Sequence, residues 1–311
     1  MAQLTRRRTI LAKIETTYGV DPTPTGAANA ILVRNLNVTP QNSEIVSRDL
    51  VRPYLGNSEQ LQSSTHVTLD FEVEMAGSGT AGTVPAYGAL LRACGLSETV
   101  SAGVSVTYAP ISASFESATI YFNVDGTLHK ILGARGTVEL NINARQIPFY
   151  KFSFTGLYSA PTAVALPTVT YTAFQTPLVA NNVNTTGFSF FGYAGILESL
   201  NLNVGNTVTY RTMIGAENVL VTDRKASGTV QIEAPGLGSK DYFAAALLDG
   251  SLGALDVTHG TTGGNKVQIT SSKIDLQNPS YNDSNGINML NLPFVAVPST
   301  AGNDEFSIVV K

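Results

Sequence analysis

The chain is poor in the residues that carry most protein chemistry. It has one cysteine, Cys94, and no tryptophan. A single cysteine excludes an intrachain disulfide framework and a cysteine-built zinc site. The three histidines, His66, His129 and His259, stand in separate strand or turn contexts with no ligand spacing. Charge is scarce too: Asp, Glu, Lys and Arg make up 14% of the residues, against about 25% in an ordinary soluble domain. A surface with so few charges is usually one that becomes covered, which points to assembly. The net charge of −4 excludes a general nucleic-acid binder held by phosphate contacts. No apolar run approaches the roughly 20 residues of a membrane span. Near the N-terminus the only apolar run is Ile10–Ala12, too short for a signal peptide. The expectation is a soluble chain without membrane anchor, made in a reducing cytoplasm.

What the chain does have is alternation. In Ser64–Gly95, Val67, Leu69, Phe71 and Val73 fall on one face of a strand and Thr68, Asp70, Glu72 and Glu74 on the other. A Gly/Thr/Ala loop follows. Thr83 is placed to cap a helix and Pro85 to start it. Tyr87, Leu90, Leu91 and Cys94 then form one apolar stripe, and Gly95 ends it. A similar unit returns at Lys225–Gly250.

At 311 residues the chain can hold one large or two medium domains. Residues 1–30, with Arg6, Arg7, Arg8 and the prolines Pro22 and Pro24, read as an extended N-terminal arm. The arginines are either a solvated start or a contact to a neighbouring subunit. Ile31–Val38 reads as the first strand. Gln41–Ser64 is long, polar and mixed in charge (Glu44, Arg48, Asp49, Arg52, Glu59), and reads as an excursion that contacts something. Further strands are expected at Val104–Ala109, Ala118–Asn123, Thr127–Leu132, Gly136–Asn143 and Ile147–Leu157. Asp125–Gly126 is a hairpin signal. Ser159–Thr186, rich in Pro and Thr, reads as an extended linker.

The pattern then repeats in order. RNLNVT (Arg34–Thr39) answers ESLNLN (Glu198–Asn203), LDFEV (Leu69–Val73) answers VQIEA (Val230–Ala234), VELN (Val138–Asn141) answers IDLQ (Ile274–Gln277), and IPFYKFSF (Ile147–Phe154) answers INMLNLPF (Ile287–Phe294). Pro293, standing where the first copy has Ser153, predicts an edge or bulge. Tandem duplication accounts for this; the plainer account is that all alternating strands look alike. The implied division is an arm at 1–30, a first domain at 31–158, a linker at 159–186 and a second domain at 187–311.

No residues assemble an acid/base pair, and no enzyme, cofactor or metal is expected. Gly77–Thr83 lacks the lysine of a phosphate loop. Tyr281–Gly286 fails as a calcium loop, and its Asn285–Gly286 reads as a tight turn. Cys94, on the helix stripe, is expected to be buried and inert. One feature remains, an acidic strand face of Asp70, Glu72 and Glu74, echoed by Gln231 and Glu233 and by Glu139 and Asp275. It is either an ordinary solvated face or the wall of an aqueous channel.

Five stretches carry a family resemblance: ETTYGVDPTP (Glu15–Pro24), GTLHKILGARGTVELN (Gly126–Asn141), IPFYKFSFTGLY (Ile147–Tyr158), LNLNVGNTVTYR (Leu200–Arg211) and DRKASGTVQIEAP (Asp223–Pro235). Through them the chain resembles the tail tube, or major tail, proteins of long-tailed bacteriophages. The resemblance implies a mainly β chain: here a tandem duplicated tail-tube fold, each copy a β-sandwich or barrel with one flanking short α-helix. It implies a structural virion protein that assembles in the host cytoplasm and forms stacked rings, the hollow tail tube that delivers DNA. Its partners would be itself, the tape measure protein, the tail terminator and the distal tail proteins. Double-stranded DNA would pass without specific binding, along a lumen lined by Asp70, Glu72, Glu74, Glu139, Gln231, Glu233 and Asp275. Glu44, Arg48, Asp49, Arg52 and Glu59 would sit in a ring-stacking loop, and Arg6, Arg7 and Arg8 in an inter-subunit arm. Two folds per chain predict a trimeric ring with pseudo-sixfold symmetry. Hexameric rings with one tube fold and an outer domain, a capsid or decoration protein, and a surface β-protein are the alternatives.

Overall fold

The alternation around Phe71 becomes a long strand in the computed structural model, which describes residues 3–248 and 250–311. The chain is mainly β. Its first part comprises β1 (Arg8–Ile14), the short helix α1 (Gly26–Asn29), β2 (Ala30–Ile31), β3 (Arg34–Ser47), β4 (Gln60–Glu74), α2 (Gly88–Ala93), β5 (Leu96–Ser101), β6 (Ser105–Pro110), β7 (Ala118–Val124), β8 (Thr127–Asn143) and β9 (Phe149–Leu157). Then come β10 (Thr162–Ala163), β11 (Thr185–Phe190), β12 (Leu197–Asn203), β13 (Asn206–Met213), β14 (Ala216–Arg224), β15 (Ser227–Glu233), α3 (Tyr242–Leu247), β16 (Leu252–His259), β17 (Val267–Leu276), β18 (Ser280–Ser284), β19 (Ile287–Ala296) and β20 (Ser307–Val310).

An antiparallel inner sheet is built from two blocks. In the first, β3 pairs with β4, β4 with β9 and β9 with β8. In the second, β12 pairs with β15, β15 with β19, and β19 with β17 and then β18. The order of pairing is the same. β8 pairs with β12 and joins the blocks, with Leu140 opposite Leu202 and Ile142 opposite Leu200. The sheet therefore runs unbroken from β3 to β18. The registers of the blocks are not identical. Leu69 stands opposite Phe154, while Val230 stands opposite Leu292 rather than Phe294, a slide of two residues. An even slide keeps every side chain on its own face, which is why alternation survives it.

The apolar face of this sheet is the core. Phe71, Phe152 and Tyr150 are at most 1% exposed, as are Leu140, Leu202, Val230 and Leu292. Burying each such Phe, Leu or Val side chain is worth roughly 1.5–3 kcal/mol. The second layer consists of β1 on β7, with β7 on the first half of β8, and of β6, β20, β17, β16 and β11 in pairing order. β8 reaches both layers by bending at a bulge between Leu132 and Arg135. There Gly133 has φ +56, and a Cβ on it would lie 2.7 Å from the Tyr18 ring. The C-terminal strand β20 is a second joint, with Ile308 opposite both Tyr108 of β6 and Ile269 of β17.

Several expectations change. Residues 8–14 of the expected arm form β1, paired along its length with β7, and Ile10 is fully buried. Gln41–Ser64 is a loop for only half of its length, since β3 and β4 extend into it as a hairpin ladder to Ser47 opposite Gln60. Thr83 and Pro85 do not start the helix. The Thr83 amide bonds the Thr80 carbonyl and Gly88 the Pro85 carbonyl, so two turns precede a helix that begins at Gly88. Its position is fixed by Tyr87, whose buried hydroxyl donates to the Ala76 carbonyl and whose ring meets that of Tyr150 at 5.0 Å. The stripe itself is buried, and burial pushes the Cys94 thiol well up. Asn285 and Gly286, both at positive φ, make the turn between β18 and β19. Pro293 lies within β19, where its neighbour is interrupted between β17 and β18. Its carbonyl accepts from Gln277 on that side, so the missing amide donor faces the gap.

Candidate functional site

The seven residues proposed to line a channel share the other face of the inner sheet. Across the strands, Asp70 stands opposite Ser153, and Glu72 opposite Lys151, which in turn faces Glu139. Glu139 faces Asn203, Asn203 faces Ser227, Ser227 faces Val295, and Val295 faces Asp275. Gln231 and Glu233 follow Ser227 and Thr229 along the same face of β15. Period-two geometry brings the seven side chains to one face although they come from four strands, β4, β8, β15 and β17.

That face is polar rather than purely acidic. Arg34 Nε bonds Glu72 Oε2 at 2.8 Å, and Asn35 donates to the same oxygen at 2.9 Å. Arg34 also lies over the Phe149 ring, 4.5 Å from its centre. Asp70 accepts from the Ser153 hydroxyl, and Glu139 from Asn141 and Asn201. Lys151 projects between two carboxylates. Its place in the alternation of Tyr150–Thr155 is visible in the sequence, but Arg34 reaches Glu72 only across a bulge in β3 that no local pattern announces.

Two hairpins leave the inner sheet. The outer part of β3–β4 carries the proposed stacking residues, all on its ladder or tip. Glu44 is opposite Ser64. Arg48 and Glu59 close the base of the tip with a 3.0 Å ion pair, Asp49 accepts from Ser47, and Arg52 sits over the Tyr54 ring. The tip exposes Val51 and Leu55 completely. The second hairpin, β13–β14, kinks away at Gly205 (φ +68), where a Cβ would lie 2.1 Å from the Lys225 carbonyl. It lies on the first half of the chain. Val219 is fully buried, its amide bonds Tyr18 Oη at 2.6 Å, and Tyr210 stacks on His66 at 4.7 Å. At its base Arg224 pairs with Glu305 at 2.7 Å, both side chains 10% exposed.

The N-terminal arginines are exposed. Arg7 pairs with Asp125 at 2.7 Å. The following segment is pinned by carboxylates that the sequence reading passed over. Glu15 is buried and accepts from the amides of Gly19 and Gly133 and the hydroxyls of Ser117 and Thr119. Asp21 accepts from Tyr121, Lys130 and the Thr23 amide. Burial works to raise the Asp21 pKa, but these hydrogen bonds and the Lys130 charge outweigh it and leave the carboxyl below its ordinary 3.8. The histidines lie apart: His66 against Tyr210, His129 against Phe122, His259 bonded to Thr185.

The fold is a β-sandwich with one polar inner-sheet face, and no group of His, Cys, Asp and Glu that could hold a metal ion occurs among the described residues. The family model described as Phage tail tube protein matches residues 5–296, and the chain belongs to that family. It is a structural component of the virion tail. No curated protein matches the chain.

Proposed function

We propose that three copies of this chain close into a ring of pseudo-sixfold symmetry, and that such rings stack into a tube through which DNA is delivered. The observation that carries this reading is the joint between β8 and β12. Two blocks with one pairing order, joined edge to edge inside one chain, support tandem duplication and a division near residues 159–186. Their outer edges, β3 and β18, carry unpaired backbone groups, and such edges pair with another chain unless they are protected. A heterologous contact of β18 with β3 of the next copy closes a ring when the rotation matches.

In this ring the polar face carrying Asp70, Glu72, Glu74, Glu139, Gln231, Glu233 and Asp275 lines the bore. Its carboxylates repel phosphate and let the duplex slide. The tip at residues 48–59, with Arg48, Asp49, Arg52 and Glu59, reaches the adjacent ring, and Glu44 lies at its approach. Arg6, Arg7 and Arg8 contact a neighbouring subunit. Tape measure, terminator and distal tail proteins start and end the polymer, which assembles in the host cytoplasm. Symmetry in images of the assembled protein tests the ring. Threefold rings are expected, and six identical subunits per ring would reject the trimer.

A further inference from the structure

The joint between β8 and β12 contains three successive rungs: Asn141 opposite Asn201, Leu140 opposite Leu202, and Glu139 opposite Asn203. The leucine rung is fully buried on the core side, and the other two lie on the polar side. Backbone bonds run from the Ala144 amide to Glu198 and from the Val204 amide to Val138. They fall on the even-numbered residues of each strand, so Asn141–Asn201 is a rung without backbone bonds, where side chains come closest.

The same rungs can be traced to the free edges by counting rows outward from β9 and β19, which absorbs the two-residue slide between the blocks. Phe149, Tyr150 and Lys151 of β9 face Asn141, Leu140 and Glu139. Their counterparts in the repeat, Met289, Leu290 and Asn291, face Asn282, Tyr281 and Ser280 of β18. In the other direction, the row of Pro293 passes through Thr229 to Asn201, and that of Phe294 through Gly228 to Leu202. The counterpart rows run from Ser153 through Asp70 to Asn37, and from Phe154 through Leu69 to Val38. Edge β18 thus repeats the β8 side of the joint, and edge β3 repeats the β12 side.

The residues at these positions agree in kind. Asparagine stands at all four places of the polar rung: Asn141 and Asn201 inside the chain, Asn282 and Asn37 on its exposed edges. The next rung is apolar in both cases, since Tyr281 is 59% exposed and Val38 is half-buried against the core. The backbone phase agrees as well. The Asp283 amide, two residues from Tyr281, bonds the Asn282 side chain and not β19, so this phase of β18 points off the sheet. β3 bulges on both sides of the stretch, between Arg34 and Asn37 and between Thr39 and Asn42, which limits the match to three rungs.

We infer that ring closure repeats the internal joint rung for rung: Asn282 of one copy opposite Asn37 of a second copy, Tyr281 opposite Val38, and Ser280 opposite Thr39. This rests on the ring reading and adds its register. A slide of one residue would turn Tyr281 onto the polar face, and a slide of two would part the asparagines.

Disulfide trapping tests the register, because Cys94 is buried and the introduced thiols are then the only accessible ones. Asn37→Cys with Asn282→Cys should link chains into covalent rings under a mild oxidant. It should do so at least about tenfold faster than Asn37→Cys with Ser280→Cys or with Ser284→Cys, whose Cα atoms would lie beyond disulfide reach. Faster linking by either of those pairs, or rings that link through none of the three, would overturn the register and leave the ring standing. If the cysteine variants do not assemble, a reconstruction of wild-type rings decides it. The Cα atoms of Asn37 and Asn282 should then be about 4.5 Å apart across the subunit boundary, and another residue opposite Asn282 would overturn the register. A wild-type chain that forms no ring at any concentration would reject the ring reading and the register with it.

Discussion

Asn201 reaches across the joint between the two blocks and donates to Glu139, while the same amide bonds Asn141 Oδ1 at 2.9 Å. The pair stitches the polar side of a joint whose apolar side is Leu140, Ile142, Leu200 and Leu202. Asn201→Ala should lower the unfolding free energy by about 1.5–3 kcal/mol, the value of a hydrogen bond to a charged group. Denaturant midpoints check this, and the loss should shrink in a Glu139→Gln background.

Arg224 and Glu305 form a better shielded pair. Arg224 also donates to the Ile111 carbonyl, tying the base of the second hairpin to the first half. Arg224→Met leaves Glu305 as a buried unpaired charge, at a cost of about 3–5 kcal/mol. Adding Glu305→Gln should recover part of that loss in a thermal melt.

Asp21 has a depressed folded pKa, so its contribution is present above the ordinary value of 3.8 and lost as the pH falls through the folded value. The stability of the wild type should therefore drop on its acid limb below about pH 4. Asp21→Asn should be less stable at neutral pH and flatter across that limb, as read from melts over a pH series.

At the free edge, the Asp283 amide bonds the side chain of Asn282 instead of β19. Proline there removes a donor that the monomer does not use in its ladder. Asp283→Pro should cost the monomer about 1–2 kcal/mol, because the amide bond to Asn282 is lost, yet leave it folded, and abolish ring closure. Normal rings from this variant, seen by electron microscopy, would reject the β3–β18 contact.

Charge reversal tests the proposed bore. Tubes carrying Asp70→Lys, Glu74→Lys and Glu233→Lys should still assemble and should retain duplex DNA, with affinity falling steeply as salt rises. Wild-type tubes should show no such retention. Equal behaviour of the two would place this face outside the bore.

The legible parts of the fold were those with one buried and one open face. β4, β9 and β19 alternate because the inner sheet covers only one side of them, so Asp70, Glu72 and Glu74 could be grouped from the sequence. β1 was missed because Thr9–Ala12 is buried on both faces and shows no period of two. The outer β3–β4 ladder was missed for the opposite reason, since both of its faces are open. The joint was invisible because pairing between β8 and β12 is set by tertiary packing, and neither strand names its partner. The hub at Glu15 lay within a stretch the resemblance had marked, but its donors Ser117, Thr119 and Gly133 are brought there only by folding.

The unequal hairpin tips have a consequence for how such rings would index on one another. One hairpin turns through Ile214–Gly215, and the other projects through residues 48–59. A ring of three chains would then present long and short fingers in alternation, like a gear with every second tooth removed. Each ring added to the tube would be keyed to the one beneath it, and the angular register of the first ring would be inherited along the whole tail.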